Sequence, residues 1–160
     1  MLESYFAINW VEIYMKALLS IESGGPETLE LTEIDKPICN SDEVLIRISA
    51  CGINYPDSLI IQDKYQFRPE RPFSPGGEIV GTIEEVGSNA KRWKKGDRVI
   101  ALVKWGGMAE YVSCSEKECL PIPSDMPDEE AAAFIFTYGT SYHALKNRAR
   151  LAPGQKLLIL

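Results

Sequence analysis

Apolar and polar residues alternate with a period of two in several short segments of this 160-residue chain. The clearest segment covers residues 44–50 (VLIRISA), and its alternation predicts a half-buried β-strand. Similar short strands are predicted over residues 15–20, 78–86, 98–103 and 108–113, with glycine-containing turns between them. Short strands joined by frequent turns indicate a small β-barrel or sandwich.

The pattern changes in the last part of the chain. Three acidic residues at 128–130 precede three alanines, and acidic side chains in a first turn favour a helix because they complement its dipole. A second helix is predicted over residues 140–150, with Tyr142, Leu145 and Ala149 on its inner face. Residues 156–160 (KLLIL) form an apolar run of the kind that is buried on both faces of a parallel sheet, so a strand is expected there.

The composition, 45% apolar and 25% charged, is that of an ordinary globular domain. A net charge of −6 disfavours nucleic acid as a partner, because nucleic acid is held by clustered Lys and Arg. Charges interrupt every apolar stretch before the roughly 18 residues that a membrane span requires, so no membrane partner is expected. Four cysteines without a signal peptide predict reduced thiols in a cytoplasmic protein. Residues 1–14 are interpreted as an extension of unknown role.

Two stretches, residues 50–57 (ACGINYPD) and 75–78 (PGGE), are similar to sequences in zinc alcohol dehydrogenases. The matching stretches of those enzymes read Ala-Cys-Gly-Ile-Cys-His-Thr-Asp and Pro-Gly-His-Glu. The second Cys of the first stretch and the His of the second stretch hold the catalytic zinc. Asn54 and Gly77 stand at these two places. Zinc takes thiolate, imidazole or carboxylate ligands, so no metal site is expected.

The chain therefore resembles the zinc-independent quinone oxidoreductase (zeta-crystallin-like) branch of the medium-chain dehydrogenase/reductase superfamily. Shorter matches at residues 96–99, 106–111 and 152–156 continue the resemblance along the chain. It implies a mainly β fold with some α: a GroES-like β-barrel domain over residues 15–125, then two helices and the first strand of a Rossmann domain over residues 126–160.

In that family a glycine-rich phosphate loop follows the first Rossmann strand, and no G-x-G-x-x-G occurs in this sequence. We therefore expect the chain to be the N-terminal portion of a longer enzyme and to be inactive alone. The resemblance implies that the longer enzyme uses NADPH, needs no zinc and forms a homodimer. The choice between NADPH and NADH stays open, because the residue that selects the cofactor belongs to the domain beyond this strand.

The resemblance assigns roles to three residues. Asn54 takes the place beside the nicotinamide, where an amide can hydrogen-bond the cofactor or the acceptor. Tyr65 matches a tyrosine that lines the active-site cleft, and Thr140 matches a threonine near the nicotinamide carboxamide. Local roles stay open for each residue: a turn at Asn54, aromatic packing at Tyr65 and a helix cap at Thr140. Glu78 and Asp57 are interpreted as structural carboxylates that bond backbone groups or Arg98.

Three functions agree with this pattern. The first is reduction of a quinone or related conjugated carbonyl, a small-molecule substrate, by NADPH. The second is reduction of an activated carbon–carbon double bond in an enone or enoyl thioester, for which Tyr65 is the candidate proton donor. The third is a non-catalytic GroES-like fragment that associates with other chains.

Overall fold

The computed structural model of the protein describes residues 13–159. Seven strands lie in this range: β1 (Tyr14–Ser20), β2 (Leu29–Asp35), β3 (Glu43–Gly52), β4 (Glu78–Val86), β5 (Arg98–Leu102), β6 (Tyr111–Ser115) and β7 (Cys119–Pro121). The five predicted strands are confirmed to within a few residues. The additional strands are β2, which is mostly exposed, and β7, which has three residues, so neither carries a strong apolar pattern.

The strands form an antiparallel hairpin, β1-β2, and one antiparallel sheet in the order β6-β3-β4-β5-β7. The two edge strands of this sheet, β6 and β7, are joined by a single 3-10 turn at Glu116–Glu118. The Sγ atoms of Cys114 and Cys119 lie 3.9 Å apart across this junction. Because the two edges meet, the sheet curls round on itself, as the predicted β-barrel requires.

The interior of the curled sheet is apolar. Its main cluster includes Val44, Ile46, Ile79, Ile83 and Val99, each with 0% of its surface exposed. Leu45, on the opposite face of β3, is also buried. It packs with Met15 and Tyr111, so β1 covers the outside of β3. The alternating pattern therefore locates the strand, but both of its faces are buried at this end.

The connection between β3 and β4 contains a helix, α1 (Tyr55–Ile60), where the sequence suggested only a turn. The backbone N–H of Asn54 donates to the Asp57 carboxylate (2.7 Å), which satisfies a free donor at the start of the helix. Pro56 is in the first turn, where a missing N–H costs little.

The acidic start of the next helix is confirmed by α2 (Asp128–Ala131). The prediction of a single α-helix over residues 140–150 is corrected by the structure. A short α3 (Thr140–Tyr142) is flanked by π-helical turns at Ile135–Gly139 and His143–Arg148. Tyr142 is 64% exposed, so the expected inner face has no layer packed against it among the described residues.

The prediction of a strand at residues 156–160 is also corrected. Residues 156–159 form no strand, and Leu160 lies outside the described residues. Leu158 and Ile159 are 80% and 83% exposed. A strand needs a hydrogen-bonded neighbour, and the described range places none beside this segment. Residues 1–12 of the expected extension are likewise outside the described range, and Tyr14 begins β1. Within residues 13–159 no helix is long and apolar enough to cross a membrane.

Candidate active site

The candidate site lies where β3 ends and β4 begins. Gly52, the last residue of β3, is paired with Glu78, the first residue of β4. The segment after α2 approaches this pair closely, because a Cβ added to Gly52 would lie 2.0 Å from the carbonyl oxygen of Ala132. Glycine at position 52 therefore lets the chain that follows α2 rest directly on the end of the sheet.

Glu78 is fully buried and bonded on both carboxylate oxygens. Its Oε1 accepts from the backbone N–H groups of Ile135 (2.5 Å) and Phe136 (3.1 Å). Its Oε2 accepts from the side-chain amide of Asn54 (3.2 Å). A buried carboxylate is tolerated only with such partners. The expected bonding to backbone is confirmed.

Arg98, the alternative partner for these carboxylates, bonds Asp128 (2.5 Å) and the carbonyl oxygen of Met126 (2.8 Å) instead. These contacts hold the start of α2 against β5.

Asn54 is half-buried between Gly52 and Glu78. Its Nδ2 donates to the Glu78 carboxylate (3.2 Å) and, more weakly, to the carbonyl oxygen of Gly52 (3.4 Å). The donor end of the amide is thus engaged by the protein. A ligand would meet Asn54 chiefly through the acceptor oxygen, Oδ1.

Two titratable groups, the buried Asp57 and the half-buried Cys51, lie beside Asn54 and Glu78. Burial raises the pKa of Asp57, and backbone hydrogen bonds from Asn54, Gly76 and Gly77 partly oppose the rise. Burial, with the charges of Asp57 and Glu78, raises the pKa of the Cys51 thiol to about 12. The Cys51 thiol is therefore protonated at neutral pH and is not a nucleophile.

Gly77, at the second place of a zinc ligand, has little free space around it. A Cβ at this position would lie 3.2 Å from the carbonyl oxygen of Val103 and 3.6 Å from the ring of Phe136. Among residues 13–159 no group of three His, Cys, Asp or Glu side chains is arranged to hold a metal ion. The donor set around Asn54 and Gly77 does not fit zinc.

Tyr65 lines a small cavity of about 120 Å³ together with Gly77, Lys104 and Phe136. Its ring meets Phe67 edge to face, with centroids 5.6 Å apart, and packs on the cluster of Ile60, Ile61 and Phe73. The structure thus places Tyr65 both in aromatic packing and at a cavity that borders Gly77. Asp57 lies on the wall of the same cavity and connects it to Asn54.

Thr140 is exposed at the start of α3, and the structure does not bring it into contact with Asn54 or Tyr65. Its expected place near a nicotinamide stays a prediction. Two residues of the cavity wall, Phe136 and Lys104, were not among the expected site residues. Phe136 is in an apolar segment with no repeat pattern, and Lys104 follows β5 without a motif, so neither carries a local signal.

Comparison with known proteins decides the family. A sequence profile described as alcohol dehydrogenase GroES-like domain matches residues 40–124, which is more than half of the chain. The chain belongs to this family. It corresponds to the N-terminal portion of enzymes of the medium-chain dehydrogenase/reductase superfamily.

Individual relatives of this family agree with that assignment. Human quinone oxidoreductase is 37% identical over 147 residues, which cover 91% of this chain and 45% of the relative. The crystal structure of quinone oxidoreductase from Thermus thermophilus, described together with its NADPH complex, has a TM-score of 0.78 at 40% identity and covers 91% of this chain and 44% of that chain.

The structure of the human synaptic vesicle membrane protein VAT-1 homolog-like protein has a TM-score of 0.84 at 35% identity, and the match covers 88% of this chain and 46% of that chain. The chain spans about half the length of the relatives that it matches. Several relatives are named as quinone oxidoreductases, which assigns the chain to an oxidoreductase family.

Proposed function

We propose that this chain forms part of the catalytic domain of an NADPH-dependent oxidoreductase that reduces quinones or related conjugated carbonyls without zinc. The observation that carries the proposal is that other residues occupy the places of two zinc ligands. The side-chain amide of Asn54 donates to Glu78 where a thiolate would bind metal, and the ring of Phe136 packs beside Gly77 where an imidazole would project. The relatives named as quinone oxidoreductases support the substrate class.

NADPH, when bound, supplies the hydride in this chemistry. The residues of this chain bind the nicotinamide and the acceptor and orient them toward each other. Oδ1 of Asn54 accepts a hydrogen bond from an N–H group, for which the nicotinamide carboxamide is the natural partner. Tyr65 and Phe136 offer aromatic surface at the small cavity for a flat acceptor, and the phenol of Tyr65 can donate to an acceptor oxygen. Each quinone consumes one NADPH and one proton, and gives one hydroquinone and one NADP⁺.

The test uses the full-length protein, NADPH and a panel of quinones and enones. Asn54→Ala and Tyr65→Phe should each slow quinone reduction on the order of 10-fold to 1000-fold, because an oriented hydrogen bond in a closed site is lost. Asn147→Ala and Tyr138→Phe are matched controls, since both residues are exposed on the helical segment. Wild-type rates in both site variants would place the site elsewhere.

Metal content provides a second, independent measurement. We expect far less than one zinc per chain after purification, because the positions of the family's zinc ligands hold an amide and a glycine. Stoichiometric zinc that survives dialysis against a weak chelator would refute the zinc-free mechanism. The same preparation tests the proposed homodimer by light scattering.

The enone panel addresses the second candidate, reduction of an activated carbon–carbon double bond. The specific observation in its favour is the phenol of Tyr65 at the cavity, because the α-carbon of an enone needs a proton donor. Tyr65→Phe should then slow enone reduction more than quinone reduction. Equal effects on both substrate classes would favour quinones as the substrates for which the site is built.

A further inference from the structure

One carboxylate connects the two sides of the candidate site. Oε2 of Glu78 bonds Asn54, which follows β3, whereas Oε1 bonds the backbone of Ile135 and Phe136, which follow α2. In sequence, Glu78 is 24 residues from Asn54 and 57 residues from Ile135. Among the described residues, no other side chain is hydrogen-bonded to both of these segments.

The bond to Asn54 determines which way the amide points. Rotation of the amide by half a turn would place Oδ1 against the Glu78 carboxylate, and two acceptors cannot bond each other. The observed orientation keeps Nδ2 on Glu78 and leaves Oδ1 as the acceptor for a ligand. The bonds to Ile135 and Phe136 meanwhile hold the Phe136 ring next to Gly77, on the wall of the cavity that Tyr65 lines.

We propose that Glu78 is a positioning residue that presents the Asn54 oxygen to the nicotinamide and holds the Phe136 wall of the acceptor cavity. This role rests on the proposed function. Glu78 acts through Asn54 and Phe136 and does not itself touch the reacting atoms.

The test replaces the acceptor of one hydrogen bond by a donor in the full-length protein. Glu78→Gln keeps the shape of the side chain and one oxygen for the backbone of Ile135 and Phe136, but it turns an N–H₂ group toward the N–H₂ of Asn54. We expect kcat/KM for NADPH and quinone to fall about 10-fold to 100-fold, mainly in kcat, because misorientation of a positioning group raises the barrier more than it weakens binding.

A second substitution should restore the bond. Asn54→Asp alone places two carboxylates against each other and should be at least as slow as Glu78→Gln. In the double variant the introduced glutamine amide donates to the introduced aspartate, which replaces the original bond, and the second oxygen of that aspartate still faces the ligand. We expect the double variant to recover to within about tenfold of the wild-type kcat/KM, a rescue that a purely structural role would not produce.

The control is a second carboxylate–amide contact at the far end of β3. Oε2 of Glu43 accepts from Nδ2 of Asn40 (2.8 Å), so Glu43→Gln makes the same chemical change at a carboxylate outside the site and should leave kcat/KM unchanged. Hydrogen exchange on the unsubstituted protein needs no variant. The amides of Ile135 and Phe136 should be protected, and free exchange at both would overturn the proposal.

The outcomes separate the two proposals. A wild-type protein that turns over no quinone refutes the proposed function, and with it the positioning role. Turnover in the wild type with unchanged kcat/KM in Glu78→Gln, or with purely additive effects in the double variant, refutes the positioning role alone.

Discussion

Gly52 provides the most sensitive test of how the helical segment rests on the barrel. A Cβ added here would lie 2.0 Å from the Ala132 carbonyl oxygen and 3.1 Å from its carbonyl carbon. Both atoms belong to backbone, so no side chain can rotate away. Relief requires the segment after α2 to move outward by about 1 Å, since ordinary contact distances between such atoms begin near roughly 3.2 Å.

Gly52→Ala should therefore destabilise the protein by about 1–3 kcal/mol, the usual cost of overpacking. For a chain of this size, that corresponds to a fall in Tm of roughly 2–12 °C. Because Ile135 and Phe136 lie only a few residues beyond Ala132, the same outward movement should lengthen their bonds to Glu78 and speed their amide exchange.

The assay is denaturant unfolding of the 160-residue chain, with Gly139→Ala as the matched control. Gly139 has helical dihedral angles, and a Cβ there would lie 3.5 Å from Ile135, which is ordinary contact. Alanine at position 139 should stabilise the protein by about 0.5–1 kcal/mol. Equal stability changes in the two variants, or a Gly52→Ala protein as stable as wild type, would refute the close packing on which the site depends.

Three further predictions concern titration and thiol chemistry. Because burial raises the pKa of Asp57, its contribution to stability is present below the unfolded pKa and lost as pH rises through the folded pKa. In urea unfolding, Asp57→Asn should lessen the loss of unfolding free energy as pH rises above about 4, and an unchanged pH dependence would contradict this. The Cys51 thiol, whose pKa is raised to about 12, should react with iodoacetamide about 1000-fold more slowly in the folded than in the unfolded protein near pH 8, as followed by peptide mass spectrometry; comparable rates would disprove its burial. Cys114 and Cys119, with Sγ atoms 3.9 Å apart, should form an intramolecular disulfide with oxidised glutathione, which is reduced to two thiols. Loss of two hydrogens from the protein mass is the expected result, whereas glutathione adducts without the internal bond would exclude it.

The sequence by itself determined five of the seven strands and showed which metal ligands are missing from the site. Alternation over residues 44–50 located β3, because one side of a curled sheet faces its core. The absence of zinc ligands at Asn54 and Gly77 is visible in the sequence, since ligand identity depends only on residue type. The sequence misplaced the helical region and the strand at 156–160, because these elements depend on neighbours outside the local pattern.

Tertiary structure alone decided the connections within the site. Nothing local in the sequence indicates that Glu78 would bond Asn54 and the backbone of Ile135 rather than Arg98, because partners 24 and 57 residues apart meet only after the sheet has curled. The ring of Phe136 beside Gly77 has the same origin. Residue types and their periodicity specify strands and possible ligands, whereas the partner of each buried polar group depends on which segments the curled sheet brings together.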